Sequence, residues 1–254
     1  MKEAHNDMKG GKSKKEFADP YTVTGALTKG SLITKLSMVI MGLGNIAHKQ
    51  IGKGLMYLAI EIGYIWFMVE SGIYNLSMLP SLGWREQEKV WNEKKSIYEY
   101  TAGDQSQLLL LYGVATVYIT LMFIAVWRDA VKSSYKSEVL AKSGKHLNTF
   151  KEDIKSLFDQ NLHKLLLAAP IMGLLVFTIL PLLYNITMAF TNYSKVGDHL
   201  VLFDWVGLAN FAKILNMSDG IGKQFYSVLA WTITWAIFAT ALNYILGMIL
   251  AIVI

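Results

Sequence analysis

The chain has 254 residues, of which 53% are hydrophobic and only 17% are charged, and its mean hydropathy is +0.35. A soluble domain carries about 25% charged residues, so this composition is typical of a membrane protein. There are no cysteines, which excludes disulfides, thiolate metal sites and cysteine nucleophiles. The net charge of +5 suits either nucleic acid or an anionic membrane surface, and the placement of the charges decides between them.

The first 53 residues divide into two segments. Residues 1–31 are polar and lysine-rich, and they lack the short apolar run that a cleavable signal peptide places within roughly its first 15–30 residues. We expect a disordered, basic, cytoplasmic tail. Residues 32–53 contain an apolar run that is too short to span and is broken by Lys35, Gly42 and Gly44. They predict an interfacial or re-entrant helical segment, with a fifth span as the alternative.

Four later stretches are long and apolar enough to cross a bilayer, which takes about 20 helical residues. They are residues 54–73, 108–127, 165–190 and 225–254. Backbone groups in hydrocarbon must be hydrogen-bonded internally, so each stretch is predicted to be a helix. The predicted fold class is therefore an all-α membrane protein, a bundle of about four transmembrane helices.

The positive charges alternate along the connecting segments. Lysine and arginine together number nine in residues 1–53, four in 74–107, eight in 128–164 and three in 191–224. Cytoplasmic loops of membrane proteins carry an excess of these residues. The N-terminus and the basic loop 128–164 are therefore predicted to be cytoplasmic, and the loop 74–107 extracytoplasmic. Because the charges follow the membrane topology, membrane lipid is the predicted partner and nucleic acid is not.

The sequence contains no nucleotide-binding pattern of the form G-x-x-x-x-G-K-[ST]. Residues 42–47 match the weak pattern G-x-G-x-x-A, but no strand precedes them and no βαβ unit follows. The five histidines show no metal-ligand spacing. We predict no cofactor, no catalytic residue and no metal site.

Glu61 lies near the middle of the first predicted span. An ionised side chain in the membrane costs on the order of 2.5–3.5 kcal/mol on insertion scales, so such residues are functional candidates. Glu61 is either part of a proton relay, or it is neutral or hydrogen-bonded to a neighbouring helix. The second interpretation is favoured, because the other three spans contain no acid, base or histidine within their apolar cores.

Two prolines lie in the third span. Pro170 is predicted to be near the helix start, where proline is tolerated. Pro181 is predicted to be interior, where it frees the carbonyl of Phe177 and kinks the helix. Thr178, Pro181 and Asn185 share one face, which either packs inside the bundle or shapes a translocation path.

The fourth span carries a stripe of small and polar residues at spacings of three and four. Its members are Thr232, Ala236, Thr240, Asn243, Gly247 and Ala251. Such a face lets helices approach closely and form hydrogen bonds across the contact. We predict a helix–helix contact, or alternatively a face that lines the substrate path with Thr240, Asn243 and Tyr244. The chain ends inside the same apolar run, and we expect it to be part of a longer protein.

Four pieces of the last third of the chain carry a family resemblance. They are A-A-P-I-M-G at 168–173, I-L-P-L-L-Y-N at 179–185, M-A-F-T-N-Y-S at 188–194 and W-V-G-L-A-N-F at 205–211. In this order they resemble MalF-type permease subunits of maltose and maltodextrin ABC importers, within the binding-protein-dependent sugar permease family. Two additional spans before the permease core occur in MalF-type subunits, and residues 165–254 resemble the first part of that core.

The resemblance implies a passive path for a sugar through a bacterial cell membrane, and no bond chemistry by this chain. The implied partners are an extracytoplasmic sugar-binding protein, a second permease subunit and cytoplasmic ATPase subunits. The family's cytoplasmic E-A-A-x-x-x-G loop does not occur in the sequence. The alternatives are a permease for another cargo, such as another oligosaccharide or glycerol phosphate, and a non-transport membrane anchor or assembly protein.

Overall fold

A computed structural model describes residues 21–159, 161–193, 202–216 and 220–253, and only the backbone of Leu157. The elements in chain order are α1 Val23–Lys29, α2 Leu32–Leu36, α3 Leu43–Ala47, α4 Ile51–Met78, β1 Lys89–Asn92, β2 Ile97–Tyr100, α5 Ser106–Lys142, α6 Phe150–Phe158, α7 Leu162–Met188, α8 Ala209–Leu215 and α9 Gly220–Val253. Helix α4 contains a π turn at Met68–Gly72, and α7 contains one at Leu174–Ile179.

Four helices in the described part of the chain, α4, α5, α7 and α9, are long and apolar enough to cross a membrane. They coincide with the four predicted spans and confirm the predicted all-α membrane class. Strand structure in the described residues is a single antiparallel hairpin, in which Lys89 pairs with Tyr100 and Asn92 with Ile97. Large apolar side chains on the long helices, such as Trp66 and Phe177, are not covered by the rest of the chain. This is expected where lipid or another apolar helix surrounds them.

Helix α5 extends well past the predicted end of the second span. The prediction ended it at Trp127 and made 128–164 a loop, but the helix continues to Lys142. The hydropathy pattern marks only the apolar part of a helix. The continuation contains three lysines, two alanines, one arginine, one glutamate and one leucine, all good helix formers. Its buried face packs against the N-terminal segment.

The predicted disordered tail is wrong for residues 21–31, where the structure has helix α1. The Thr22 hydroxyl caps this helix by accepting the Gly25 N–H at 3.0 Å. Ala26 is fully buried and packs with Val131 and Tyr135 on α5. The composition of the segment does not reveal this packing surface, because α5 supplies it from more than 100 residues away. The rest of the predicted tail, residues 1–20, lies outside the described residues.

The described chain divides into two compact units. The first contains residues 21–77 and 112–181, and the second contains residues 78–111 and 182–253. In the first unit α4 and α5 pack side by side, with the rings of Tyr64 and Phe123 stacked at 3.8 Å between centroids. The Tyr64 hydroxyl donates to Thr120 at 3.1 Å. Such contacts satisfy polar side chains on otherwise apolar helices.

Residues 31–50 form α2, a turn and α3, and we refer to them as the N-terminal hairpin. Neither five-residue helix can cross a membrane. The interfacial or re-entrant placement of residues 32–53 stays a prediction. Gly42 in the turn adopts a left-handed conformation, with φ +81°. A Cβ at Gly42 would lie 2.2 Å from the carbonyl oxygen of Gly54, so only glycine allows the turn to lie against α4.

Candidate substrate path and the contacts that support it

The segments most characteristic of the resemblance meet where the third span ends. The side chain of Asn210 donates to the carbonyl oxygens of Ala189 and Thr191 at 2.9 and 2.7 Å. Both carbonyls belong to the chain just after α7 ends at Met188, so this amide fixes the segment that leaves the third span. Asn210, the asparagine of the G-L-A-N-F motif, thus binds the backbone of the M-A-F-T-N-Y-S motif.

A short antiparallel contact joins the same two segments. Thr191 and Trp205 form an isolated β-bridge, and the Val206 N–H donates to the Phe190 carbonyl at 2.8 Å. The rings of Phe190 and Phe211 pack at 5.2 Å between centroids. The chain leaving α7 is therefore fixed by hydrogen bonds and by aromatic packing.

The same junction contacts the ends of the first two spans within the second unit. The indole N–H of Trp205 donates to the Leu79 carbonyl at 2.9 Å, and the Phe203 N–H donates to the Ser106 hydroxyl at 3.2 Å. Phe203 and Ser106 are both buried. These hydrogen bonds connect the segment after α7 to the residue that follows α4 and to the first residue of α5. Sequence reasoning had identified the motifs of this junction without assigning them a structural role.

The side chains of the candidate path residues are all exposed on the surface of the chain. Asn185 lies on α7, and Thr240, Asn243 and Tyr244 lie on α9. The structure of this chain alone does not bring them together in an enclosed site. Their assignment to a substrate path stays a prediction.

The stripe on α9 is likewise exposed along its length. A Cβ added at Gly247 would meet nothing within 4 Å, and Thr232, Ala236 and Ala251 are also exposed. The Thr232 hydroxyl donates to the Val228 carbonyl of its own helix at 2.8 Å, which satisfies its proton without a partner helix. The predicted helix–helix contact of this stripe is not made by the described residues of this chain.

The π turn of α7 precedes Pro181 by two residues. Proline lacks the N–H that would bond the Phe177 carbonyl, and π turns commonly accommodate such breaks. The hydroxyl of Tyr118 on α5 donates to the Leu175 carbonyl in this turn at 3.2 Å. The prediction for Pro170 is wrong: α7 begins at Leu162, so Pro170 is interior, because the helix extends upstream through polar residues that hydropathy had excluded.

A charged clamp in the loop between the first two spans was not recognised from the sequence. Asp104 is buried and accepts the backbone N–H groups of Trp84 and Arg85, both at 3.1 Å, and the Arg85 guanidinium at 3.0 Å. The Trp84 N–H, followed by the N–H and guanidinium of Arg85, lowers the pKa of the Asp104 carboxyl. This clamp closes the base of the loop that carries β1 and β2.

Glu61 is hydrogen-bonded within the chain, but to a turn and not to the neighbouring helix that the favoured interpretation expected. Its carboxylate accepts the backbone N–H of Met41 in the N-terminal hairpin at 2.8 Å. A buried acid, Glu138, lies on the part of α5 that had been assigned to a loop, and it binds Ser31, Thr34 and Lys142. An amphipathic pattern on residues 128–142 was the only signal that could have indicated it.

Comparison with known proteins finds similarity to sugar transport permeases. The chain is 30% identical over 229 residues to the maltodextrin transport system permease protein MdxF of Bacillus subtilis (strain 168), covering 89% of this chain and 48% of that protein. It is 28% identical over 222 residues to the maltodextrin permease MalC of Streptococcus pneumoniae, and 28% identical over 226 residues to the galactooligosaccharides permease GanP of Bacillus subtilis. These matches cover 86% and 87% of this chain and 47% and 50% of the two relatives.

The chain is a homologue of MalF-type sugar permeases. The resemblance predicted from residues 165–254 is thereby confirmed, and the similarity to these permeases extends over most of the first 164 residues as well. The chain spans about half the length of the curated relatives it matches. No family model and no solved structure matches it.

Proposed function

We propose that this chain belongs to the permease subunit of an ATP-driven ABC importer that takes up oligosaccharides, with maltodextrin as the substrate class. The observation that carries the proposal is its 30% identity to a maltodextrin permease across 89% of the chain. The four long apolar helices supply the membrane-spanning scaffold that such a subunit requires. The chain's own part in the cycle is to form one side of the path.

The exposed surfaces of α7 and α9 support a role inside a larger assembly. The most apolar stretches of both helices are not buried by the other described residues of the chain. The α9 stripe places Thr240 and Asn243 on such a surface, where contact with lipid alone would leave the Asn243 amide without partners. We therefore assign the stripe to contact with a second permease subunit.

The substrate path is assigned to the neighbouring part of the same surface. An amide and an aromatic ring adjoin at Asn243 and Tyr244, and oligosaccharides offer hydroxyls to the first and an apolar ring face to the second. Asn185 on α7 is the further candidate. These residues would line the path only after the second subunit encloses them.

The energy source and the delivery of substrate belong to other proteins in this proposal. Cytoplasmic ATPase subunits would hydrolyse ATP, and an extracytoplasmic sugar-binding protein would deliver the oligosaccharide. The N-terminus and residues 128–164 are assigned to the cytoplasmic side, because they carry nine and eight positive charges against four in the loop 74–107.

Transport assays on a strain that lacks the gene test the proposal. The whole subunit is returned on a plasmid, and uptake of radiolabelled maltotriose is measured with and without excess unlabelled maltodextrin. Restored uptake that unlabelled maltodextrin abolishes is the expected result. A subunit that reaches the membrane but restores no sugar uptake would favour the anchor or assembly role instead.

Import of galacto-oligosaccharide is a second candidate, since the relative GanP is 28% identical over 87% of the chain. Competition in the same assay distinguishes the two. Galacto-oligosaccharide, but not maltodextrin, would then suppress uptake. Glycerol 3-phosphate serves as the competitor for the remaining alternative and is expected to have no effect.

A further inference from the structure

The N-terminal hairpin has a polar interior. Thr34, Ser37 and Asn45 are fully buried, and they face polar side chains on α5. The Ser134 hydroxyl donates to Ser37 at 3.0 Å, and the Asn45 amide donates to Ser137 at 3.2 Å. The hairpin is therefore attached to α5 by hydrogen bonds more than by apolar packing.

Its outward side is apolar. The exposed large side chains are Leu32 at 74%, Ile33 at 40%, Leu36 at 45%, Val39 at 74% and Ile40 at 44%. A hairpin in water shows the reverse pattern, with apolar residues inside and polar residues outside. Polar groups inside and apolar groups outside indicate an element whose surroundings are apolar.

Two contacts fix the position of the hairpin along the axis of α5, which we call its height. At its base, both carboxylate oxygens of Glu138 accept the Ser31 N–H at 3.0 Å. At its tip, the Met38 carbonyl accepts the indole N–H of Trp127 at 2.8 Å. Eleven helical residues separate Trp127 from Glu138, which is about 16 Å along the helix axis.

Helix α4 gives a second measure of the same height. The tip residue Met41 donates to Glu61, and the hairpin ends at Gln50, directly before α4 begins at Ile51. Ten residues separate Ile51 from Glu61, about 15 Å along the axis. Both helices place the tip of the hairpin at the level of Trp127 and Glu61.

The membrane boundary on α5 lies near that level. The helix has 37 residues, about 55 Å, which exceeds the roughly 30 Å of the hydrocarbon core. Its charge-free part ends at Trp127, and Arg128 and Asp129 follow. Tryptophan is enriched at the boundary between hydrocarbon and headgroups. The hairpin thus packs on the part of α5 beyond the hydrocarbon, with its tip at the boundary.

The charges around the hairpin are mostly positive. The acids of this region are engaged: Glu61 by the Met41 N–H, Asp129 by the Tyr57 hydroxyl at 2.6 Å, Asp153 by the Asn148 amide at 3.2 Å, and Glu138 by the base of the hairpin and Lys142. The basic side chains on the hairpin and on the facing ends of α4 and α5 are Lys35, Lys49, Lys53, Lys132 and Lys136. A basic belt beside an apolar tip matches the surface of an anionic leaflet.

We infer that the N-terminal hairpin is an interfacial wedge that binds anionic phospholipid. Leu36, Val39 and Ile40 contact the acyl chains at the level of Trp127, and the surrounding lysines contact the headgroups. The hairpin enters one leaflet and does not cross the membrane, and Glu138 holds its base outside the hydrocarbon. This assignment is independent of the proposed transport function, because it concerns lipid contact alone.

Spin labelling of the whole subunit in vesicles tests the wedge. A nitroxide is attached to Val39→Cys at the exposed tip, and in a matched variant to Lys29→Cys, which is exposed just before the base. The vesicles contain phosphatidylcholine with phosphatidylglycerol. Collisions with oxygen report the hydrocarbon, and collisions with a water-soluble nickel chelate report the aqueous phase. We expect oxygen to dominate at position 39 and the nickel chelate at position 29.

Each other result contradicts the assignment. Strong nickel collisions at position 39 would place the tip in water, and weak collisions with both reagents would mean that protein covers it. A label depth at the bilayer centre would make the segment a span. In vesicles of phosphatidylcholine alone we expect the label at position 39 to lie less deep. An unchanged depth there would overturn the role of the lysines in binding anionic headgroups.

Discussion

The carboxylate of Glu61 accepts the backbone N–H of Met41 at 2.8 Å, and Met41 is fully buried. A charged side chain that looks like a proton-relay candidate in the sequence therefore has a structural partner. It fastens the turn of the N-terminal hairpin to the first span. The partner is a main-chain group, which no pattern of side chains along the sequence could reveal.

Replacing Glu61 should destabilise the protein without changing the pH dependence of transport. Glu61→Leu leaves the Met41 N–H buried without an acceptor, which costs about 1–3 kcal/mol. Glu61→Gln keeps an acceptor oxygen and should behave nearly as the wild type. Thermal unfolding in detergent measures the stability, and uptake across a pH series measures the transport.

Glu70→Leu is the matched control, since Glu70 lies on the same helix and is exposed. It should leave the unfolding temperature unchanged. A transport rate that loses its pH dependence in Glu61→Gln would show that Glu61 carries a proton, against the structural role.

Substitutions on the α9 stripe should damage assembly but not the fold of the subunit itself. A Cβ at Gly247 meets nothing within this chain, so Gly247→Leu and Asn243→Leu should not alter the unfolding temperature of the isolated subunit. Both should reduce recovery of the second permease subunit in a pull-down, because the close helix contact is lost.

Ile249→Leu conserves volume, lies off the stripe and serves as the control. It should preserve both assembly and sugar uptake. Equal recovery of the second subunit with all three variants would place the stripe against lipid.

Much of the membrane architecture follows from the sequence. A run of about 20 uncharged, apolar residues can cross the membrane, and a helix is the structure that satisfies its backbone hydrogen bonds there. The four spans were found in this way, and the motifs that meet at Asn210 were found through the family resemblance. Helix α1 and the Glu138 contacts were not, because both depend on the facing surface of α5. Ser31 and Glu138 are 107 residues apart in the chain, and the polar signal of residues 128–142 resembles that of a loop.

The candidate path residues depend on another kind of missing partner. Asn185 and Asn243 were singled out because polar residues on apolar helices need a polar neighbour. Their side chains are exposed, so the described residues supply no such neighbour. Periodicity along one sequence identifies such a face but does not identify the molecule that covers it.

Asn210→Leu should loosen the junction after the third span. The substitution removes the amide that binds the carbonyls of Ala189 and Thr191 just after the end of α7. Loss of these contacts at a half-exposed site should lower the free energy of unfolding by about 1–3 kcal/mol. Lys213→Ala, at an exposed position on the same short helix, is the control and should have little effect. Equal stability of the two variants would show that the Asn210 contacts do not stabilise the segment after the span.

The Asp104 clamp should make the loop between the first two spans sensitive to acid. Its folded-state pKa is lowered by the Trp84 N–H and by Arg85, so the clamp stabilises fully above the unfolded value of about 3.9. That stability is lost as the pH falls through the lower folded-state pKa. The difference in unfolding temperature between wild type and Asp104→Asn should therefore be constant from neutral pH to about pH 5 and shrink below about pH 4. Glu93→Gln, in the exposed hairpin turn, should show no such difference, and a gap that widens on acidification would contradict the assignment.

The orientation of the chain can be tested because the sequence contains no cysteine. Ser143 follows α5 on the side assigned to the cytoplasm, and Glu93 lies in the turn between β1 and β2 on the opposite side; both residues are exposed. In whole subunits that carry a single cysteine, a membrane-impermeant maleimide added to intact cells should label Glu93→Cys but not Ser143→Cys. Both should be labelled after the cells are permeabilised, which shows that the thiols themselves are reactive.

The physical reason for this orientation is the excess of positive charge in residues 128–164 over the loop 74–107, since positively charged segments are retained on the cytoplasmic side. Labelling of Ser143→Cys, but not of Glu93→Cys, in intact cells would reverse the topology, and the N-terminal hairpin would then lie in the outer leaflet.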